Sequence, residues 1–195
     1  NRLDKKKLTF ERVHIGANKQ LIALMSNKRL IAYDTTLGLL YYDEVSNKLI
    51  PLGKSFQYKM QKIVIDSSDN IYLLTEQGKV IKLSLKYTNG IPALTDIQEL
   101  PDFISNIFFI DDFLITNYDG YLDISNDKAG YKKRIDIADG RKISQIGKIA
   151  NDLFITFDGR GCIRYNLDND GYTHLDGISD NLPVFSLYSG SQDIL

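Results

Sequence analysis

Four glycines recur at near-constant intervals, each inside the same local pattern. Gly38, Gly78, Gly120 and Gly161 lie 40, 42 and 41 positions apart; taking Gly159 as the last marker makes the final interval 39 and keeps the period. Each sits in a short polar turn between two apolar runs. Leu30-Ile31-Ala32-Tyr33 precedes Gly38 and Leu39-Leu40-Tyr41-Tyr42 follows it; Ile71-Tyr72-Leu73-Leu74 precedes Gly78 and Val80-Ile81 follows it. Phe113-Leu114-Ile115 and Tyr121-Leu122 flank Gly120, and Leu153-Phe154-Ile155 and Cys162-Ile163 flank Gly161. Glycine suits such places because a tight strand-to-strand turn often needs positive φ. A period near 40 residues signals a repeat architecture, in which each module is too small to bury its own apolar faces and must stack on a neighbour.

Each module holds two more strands. An apolar run precedes the glycine motif at Leu21–Met25, Ile63–Ile65, Ile107–Ile110 and Ile143–Ile149, and turn residues such as Ser67-Ser68-Asp69-Asn70 and Asp111-Asp112 separate the two. A more polar strand follows it at Lys48–Leu52, Ile97–Leu100, Arg134–Ile137 and Tyr172–Leu175. Pro51 and the polarity of these last strands suit an outer edge. Four strands per module is the arithmetic of a propeller blade. No stretch carries apolar spacing at helical period over ten residues, so almost no helix is expected. The chain therefore reads as all-β, a single β-propeller (partial) domain over 1–195. Its blades fall at roughly 18–53, 59–100, 103–138 and 142–176, with 181–195 starting another. Leu8–Val13 reads as an orphan N-terminal strand. The opening Asn1-Arg2-Leu3-Asp4-Lys5, with no signal peptide and no initiator methionine, reads as a mature product or an excised piece, and the end at Ile194-Leu195 as a broken repeat.

Composition narrows the function classes. A net charge of −1 gives no pull toward nucleic acid, and Lys5-Lys6-Lys7 reads as a solvated tail. No apolar run reaches the ~18 residues of a membrane span. The single cysteine, Cys162, excludes an internal disulfide and a multi-cysteine zinc site, and reads as a small strand residue. His14 and His174 read as ordinary exposed or hydrogen-bonded histidines. Asp168-Asn169-Asp170-Gly171 lacks the calcium-loop register, since Tyr172 fills the fifth place, and reads as a hairpin turn. No catalytic residue, metal site or cofactor is expected. Of the aromatics, 12 Tyr and nine Phe, most alternate within strands and read as core.

The turns between second and third strands are the better candidates for recognition. In propellers they share one face with the blade-to-blade connections, around the channel mouth. Tyr118 has the ring to stack on a sugar, and Asp158 and Arg160 have the groups to hydrogen-bond its hydroxyls. These three are the candidate ligand-binding residues. Asp66, Asp111, Asp112 and Asp158 are the carboxylates available to a carbohydrate-active enzyme, and all four fit turns.

The closing stretch Asp176-Gly177-Ile178-Ser179-Asp180-Asn181-Leu182-Pro183-Val184-Phe185-Ser186-Leu187-Tyr188, followed by Ser191-Gln192-Asp193-Ile194-Leu195, resembles the two-component regulator propeller repeat. Ile71–Gly78 is similar to the second half of that repeat, with Tyr72 in its aromatic place, and Leu37–Asp43 to its tail; the chain has no Trp. The resemblance implies the periplasmic sensor region of a membrane-bound hybrid histidine kinase of a gut bacterium, responding to a glycan breakdown product. The kinase chemistry would lie elsewhere in the parent protein. The remaining blades and downstream domains would be partners, with an oligosaccharide or other small ligand, a possible homodimer, no nucleic acid, and the membrane only through the parent. The alternatives are a propeller scaffold for protein–protein interaction and a carbohydrate-active propeller enzyme.

Overall fold

The computed structural model describes residues 2–4, 9–11, 19–24, 30–43, 45–53, 56, 58–88, 91–100, 103–136, 142–158 and 161–175, and of 2–4, 9–11 and 19–24 the backbone alone. The described residues form strands and turns without a helix. β1 (Arg2–Asp4) and β2 (Thr9–Glu11) make a two-stranded hairpin. Four four-stranded antiparallel sheets follow in chain order. The first holds β3 (Lys19–Leu24), β4 (Leu30–Asp34), β5 (Gly38–Asp43) and β6 (Lys48–Pro51); the second β7 (Met60–Ile65), β8 (Ile71–Thr75), β9 (Val80–Thr88) and β10 (Ile91–Glu99). The third holds β11 (Asn106–Ile110), β12 (Phe113–Asn117), β13 (Tyr121–Asn126) and β14 (Tyr131–Asp136); the fourth β15 (Ile143–Ile149), β16 (Asp152–Phe157), β17 (Cys162–Asn166) and β18 (Tyr172–His174). Each is a simple meander, the blade expected from the repeat.

Two expectations need correction. The N-terminal strand stands outside the four sheets but is not solitary, because β1 and β2 pair with Leu3 in register with Phe10. The outer strand of the second sheet does not begin at Ile97. It begins at Ile91 and pairs along β9 as a long ribbon, with a register shift between Leu94 and Asp96. Pro92 and that bulge break the alternation by which a strand is recognised. Residues 181–195, read as a further repeat, lie outside the described residues, as do the family-like stretch from 176, Lys5–Lys7, His14 and Arg160.

The turns follow from their residues. Gly38, Gly78, Gly120 and Gly161 all have positive φ, between 58° and 88°. Asp111 and Asp112, with φ 45° and 68°, make the two-residue turn between β11 and β12, the mirror-image type that matches strand twist. Asp66 accepts hydrogen bonds from the Ser68 and Asn70 amides, the Asn70 side chain and the Tyr72 hydroxyl, which occupies its carboxylate with turn building. The expected hairpin turn at 168–171 is present: Asn166 Oδ1 accepts from the Asp168 and Asn169 amides, both at 3.1 Å.

The first strands of three sheets share an irregularity. β3, β7 and β15 each carry a one-residue register shift near their start, between Lys19 and Leu21, Met60 and Lys62, and Ile143 and Gln145. The pairing of β11 with β12 runs without one.

Chain contacts divide the protein into two compact units, Asn1–Asp102 and Phe103–Leu195. In the first, Ile31, Tyr33, Leu39 and Tyr41 of one sheet pack with Met60, Ile63, Ile71, Leu73, Ile81 and Leu83 of the next. In the second, Ile115, Leu122 and Ile124 pack with Ile143, Leu153, Ile155, Phe157, Ile163 and Tyr165. Most of these residues fall two apart along a strand, so a single face of each sheet enters each core. Full burial of one such aliphatic side chain contributes about 1.5–3 kcal/mol. The Tyr33 hydroxyl also donates to the carbonyl of Tyr58, just before β7, at 3.3 Å, and the Asn106 side chain on β11 to the Ile143 carbonyl on β15 at 3.0 Å.

Candidate functional site

In the second, third and fourth sheets, backbone hydrogen bonds bring the end of the second strand or the turn after it beside the chain arriving at the first strand. Glu76 N–H donates to Lys59 O, Ser105 N–H to Asn117 O, and Asp158 N–H to Lys142 O, at 2.7–3.0 Å. The turn residues and incoming connections therefore share one end of a sheet, as the sequence reading supposes.

The third sheet departs from the others at this end. Thr75 N–H reaches Lys79 O and Phe157 N–H reaches Gly161 O, each four residues on, whereas Tyr118 N–H reaches Tyr121 O, three residues on, at 2.9 Å. The tighter turn brings its first and last side chains together. The Tyr118 and Tyr121 rings stack with centroids 4.6 Å apart and planes 14° from parallel. The Arg134 guanidinium lies 4.0 Å from the Tyr121 centroid, so Tyr121 contacts both a phenol and a cation. Asp123 fixes that cation, accepting from Arg134 Nε at 2.7 Å and Nη2 at 2.9 Å in a two-pronged pair. The hydrogen bonds to Asp123 hold the guanidinium's pKa above its ordinary value. Register explains the set: Asp123 pairs with Arg134 and Tyr121 with Asp136 across β13 and β14, while Leu122 and Ile124 between them turn into the core.

Of the residues expected from the sequence, Tyr118 is in this column. Asp158 is exposed on the corresponding turn of the fourth sheet, and its carboxylate has no partner among the described residues. Arg160 lies outside the described residues. Sequence reasoning missed Tyr121, Asp123 and Arg134. The usable signal was the alternation Tyr121-Leu122-Asp123-Ile124, which puts an aromatic and a carboxylate on one face, opposite Lys132 and Arg134 on the paired strand.

The remaining groups have structural work. Asp111 pairs with Lys148 at 3.4 Å and Asp112 with Lys128 at 3.1 Å. Asp170 holds Lys133 and accepts from the Tyr165 hydroxyl at 2.7 Å; burial first, then Asp170, raises the Tyr165 phenol above its ordinary range. Cys162 is buried, and burial pushes its thiol up, away from the thiolate form that reacts. His174 is exposed beside Tyr172. No cluster of three or more metal-ligating His, Cys, Asp or Glu exists among the described residues. A groove of about 550 Å³ lies between Pro51, Leu52 and Gly53 on one side and Pro92, Ala93, Leu94, Thr95 and Ile97 on the other. It has no charged lining residue, and the Thr95 hydroxyl is spent on the Ser84 carbonyl at 3.2 Å. It offers apolar contact without the convergent polar groups that fix a polar ligand.

No family model matches the chain, and no curated protein matches it by sequence. Solved structures match its fold. The extracellular domain of the putative hybrid two component system BT4673 from B. thetaiotaomicron aligns over 87% of this chain and 25% of that one, at 13% identity and a TM-score of 0.61. The computationally designed Ika8 protein aligns over 89% and 53%, at 10% identity and a TM-score of 0.60. A catalytically inactive virginiamycin B lyase from Staphylococcus aureus, solved with quinupristin, aligns over 88% and 60%, at 14% identity and a TM-score of 0.54. The chain thus spans a quarter of the sensor domain's length, and identities this low establish a shared fold.

Proposed function

We propose that this chain is a ligand-sensing segment of the extracytoplasmic part of a hybrid two-component sensor, and that it responds to a glycan breakdown product. The supporting observation is the fold shared with the extracellular domain of BT4673 over 87% of the chain. In this reading the sheets within 18–53, 59–100, 103–138 and 142–176 are blades of one larger propeller, which residues 181–195 and further blades continue. The segment sits in the periplasm, recognises without catalysing, and belongs to a parent protein whose kinase lies across the membrane. Ligand contact falls on the turn end of the sheets, through Tyr118, Asp158 and Arg160. Binding signals only if the ligand favours one of two arrangements of the whole receptor.

The test is calorimetric titration of the purified protein with neutral and acidic oligosaccharides of two to six units. Binding of at least one series, weakened tenfold or more by Tyr118→Ala and by Asp158→Ala, is the expected result. If no oligosaccharide of either series binds, the glycan reading fails.

A further inference from the structure

We infer that the recognising element of this site is the Arg134–Asp123 pair beside the Tyr118–Tyr121 column, and that it selects an uncharged saccharide through a pair of neighbouring hydroxyls; the inference rests on the glycan reading proposed above. A guanidinium carries five N–H donors, and Asp123 takes one from Nε and one from Nη2. The donors that Asp123 leaves are on a side chain that is 57% exposed. The carboxylate, on a side chain 19% exposed, has about four lone-pair sites, two of which Arg134 uses. Donors and acceptors thus lie side by side on one rigid pair. That is the complement of two adjacent hydroxyls, each of which donates and accepts.

Charge separates this ligand from its acidic relatives. Lys132, Arg134, Asp123 and Asp136 share the face of β13 and β14 that carries Tyr121, and their formal charges cancel. Asp119, exposed in the adjoining turn, adds a negative charge. A uronate or sulfated sugar would therefore meet a neutral to negative surface whose one suitably placed guanidinium is already compensated. It would have to compete with Asp123 for the fork. A neutral sugar adds to the pair without breaking it. The aromatic column beside the pair provides the apolar ring surface against which sugar C–H groups pack, and it holds the guanidinium plane in place, so little rotamer freedom is lost on binding.

The experiment compares neutral cello-, xylo-, malto- and manno-oligosaccharides with oligogalacturonates of equal length, by calorimetry on the purified protein and on Arg134→Lys and Asp123→Asn. The Arg134 side chain is 57% exposed and that of Asp123 19%, and unfolding midpoints check that the variants fold. Arg134→Lys keeps the charge and removes the fork, so a merely electrostatic role would survive it. The expected result is that a neutral series binds, that each variant weakens it at least tenfold, and that affinity changes little between 50 and 500 mM salt. Saturation-transfer NMR on the unaltered protein reads the same contact without substitution, and signal from the sugar ring protons nearest the tyrosines is expected. Tighter binding of the oligogalacturonates overturns the inference, as does neutral binding that neither variant weakens. Either result leaves the glycan reading standing, whereas the absence of all binding removes both.

Discussion

Single residues decide the turns and one internal cost. Gly120 has φ +88°, and a Cβ built there meets nothing within 4 Å. The constraint is therefore the backbone and not space. Gly120→Ala is expected to destabilise by about 1 kcal/mol through forced left-handed geometry, read from the urea midpoint. Lys62, half-buried and paired across the sheet with Leu74, is a different case. Burial lowers its pKa to about 8, so the folded state disfavours the charged form that dominates in the unfolded chain up to about pH 10.4. The penalty is present in full below the folded value and fades as pH rises from there toward the unfolded one. Stability should therefore climb between pH 8 and about 10.4. Lys62→Met should raise the thermal midpoint at pH 7 and flatten that climb; an unchanged profile would refute the assignment. The glycine spacing was readable without coordinates, because a turn's demand for positive φ is written in residue type. The Tyr118–Tyr121–Arg134 column was not, because it depends on a turn one residue tighter than its counterparts and on a cross-strand register, neither of which leaves a mark in composition.

At the scale of strands, the outer edges carry their own protection. β14 presents Lys132, Lys133 and Arg134, and β10 combines Pro92 with a bulge at Leu94–Asp96. Charge, proline and bulges are the usual devices that stop an exposed strand from pairing with another chain. β10 has the greater need, being nine residues long with Ile91 59% exposed. The double variant Pro92→Val, Asp96→Val restores a continuous apolar-leaning edge, and concentration-dependent self-association in sedimentation velocity is expected where the parent shows less. These same devices hid the strand from sequence reading. Ile97–Leu100 was legible, whereas Ile91–Asp96 was masked by the very residues that defend it. Ile143–Ile149 was legible to the residue in spite of its register shift, because apolar residues mark both of its ends.

At the scale of the molecule, the modules are interdependent. The first core needs Ile31, Tyr33, Leu39 and Tyr41 from one sheet and Ile71, Leu73, Ile81 and Leu83 from the next. A peptide of residues 60–100 alone, deprived of the facing sheet, is expected to lack strand signal in far-UV circular dichroism; a folded spectrum would show that a single module suffices. The bulge near the start of β3, β7 and β15 has a bearing on how such a chain arose. Adding one residue inverts the alternation of everything beyond it unless the partner strand and turn change too. Three independent gains at one site are harder to arrive at than a single gain that was then copied. One gain, copied with the module, accounts for all three with the fewest steps. The third module keeps a related contact at that place, Ser105 N–H to Asn117 O at 2.7 Å just outside the β11 ladder, so its departure from the others lies in its tighter turn.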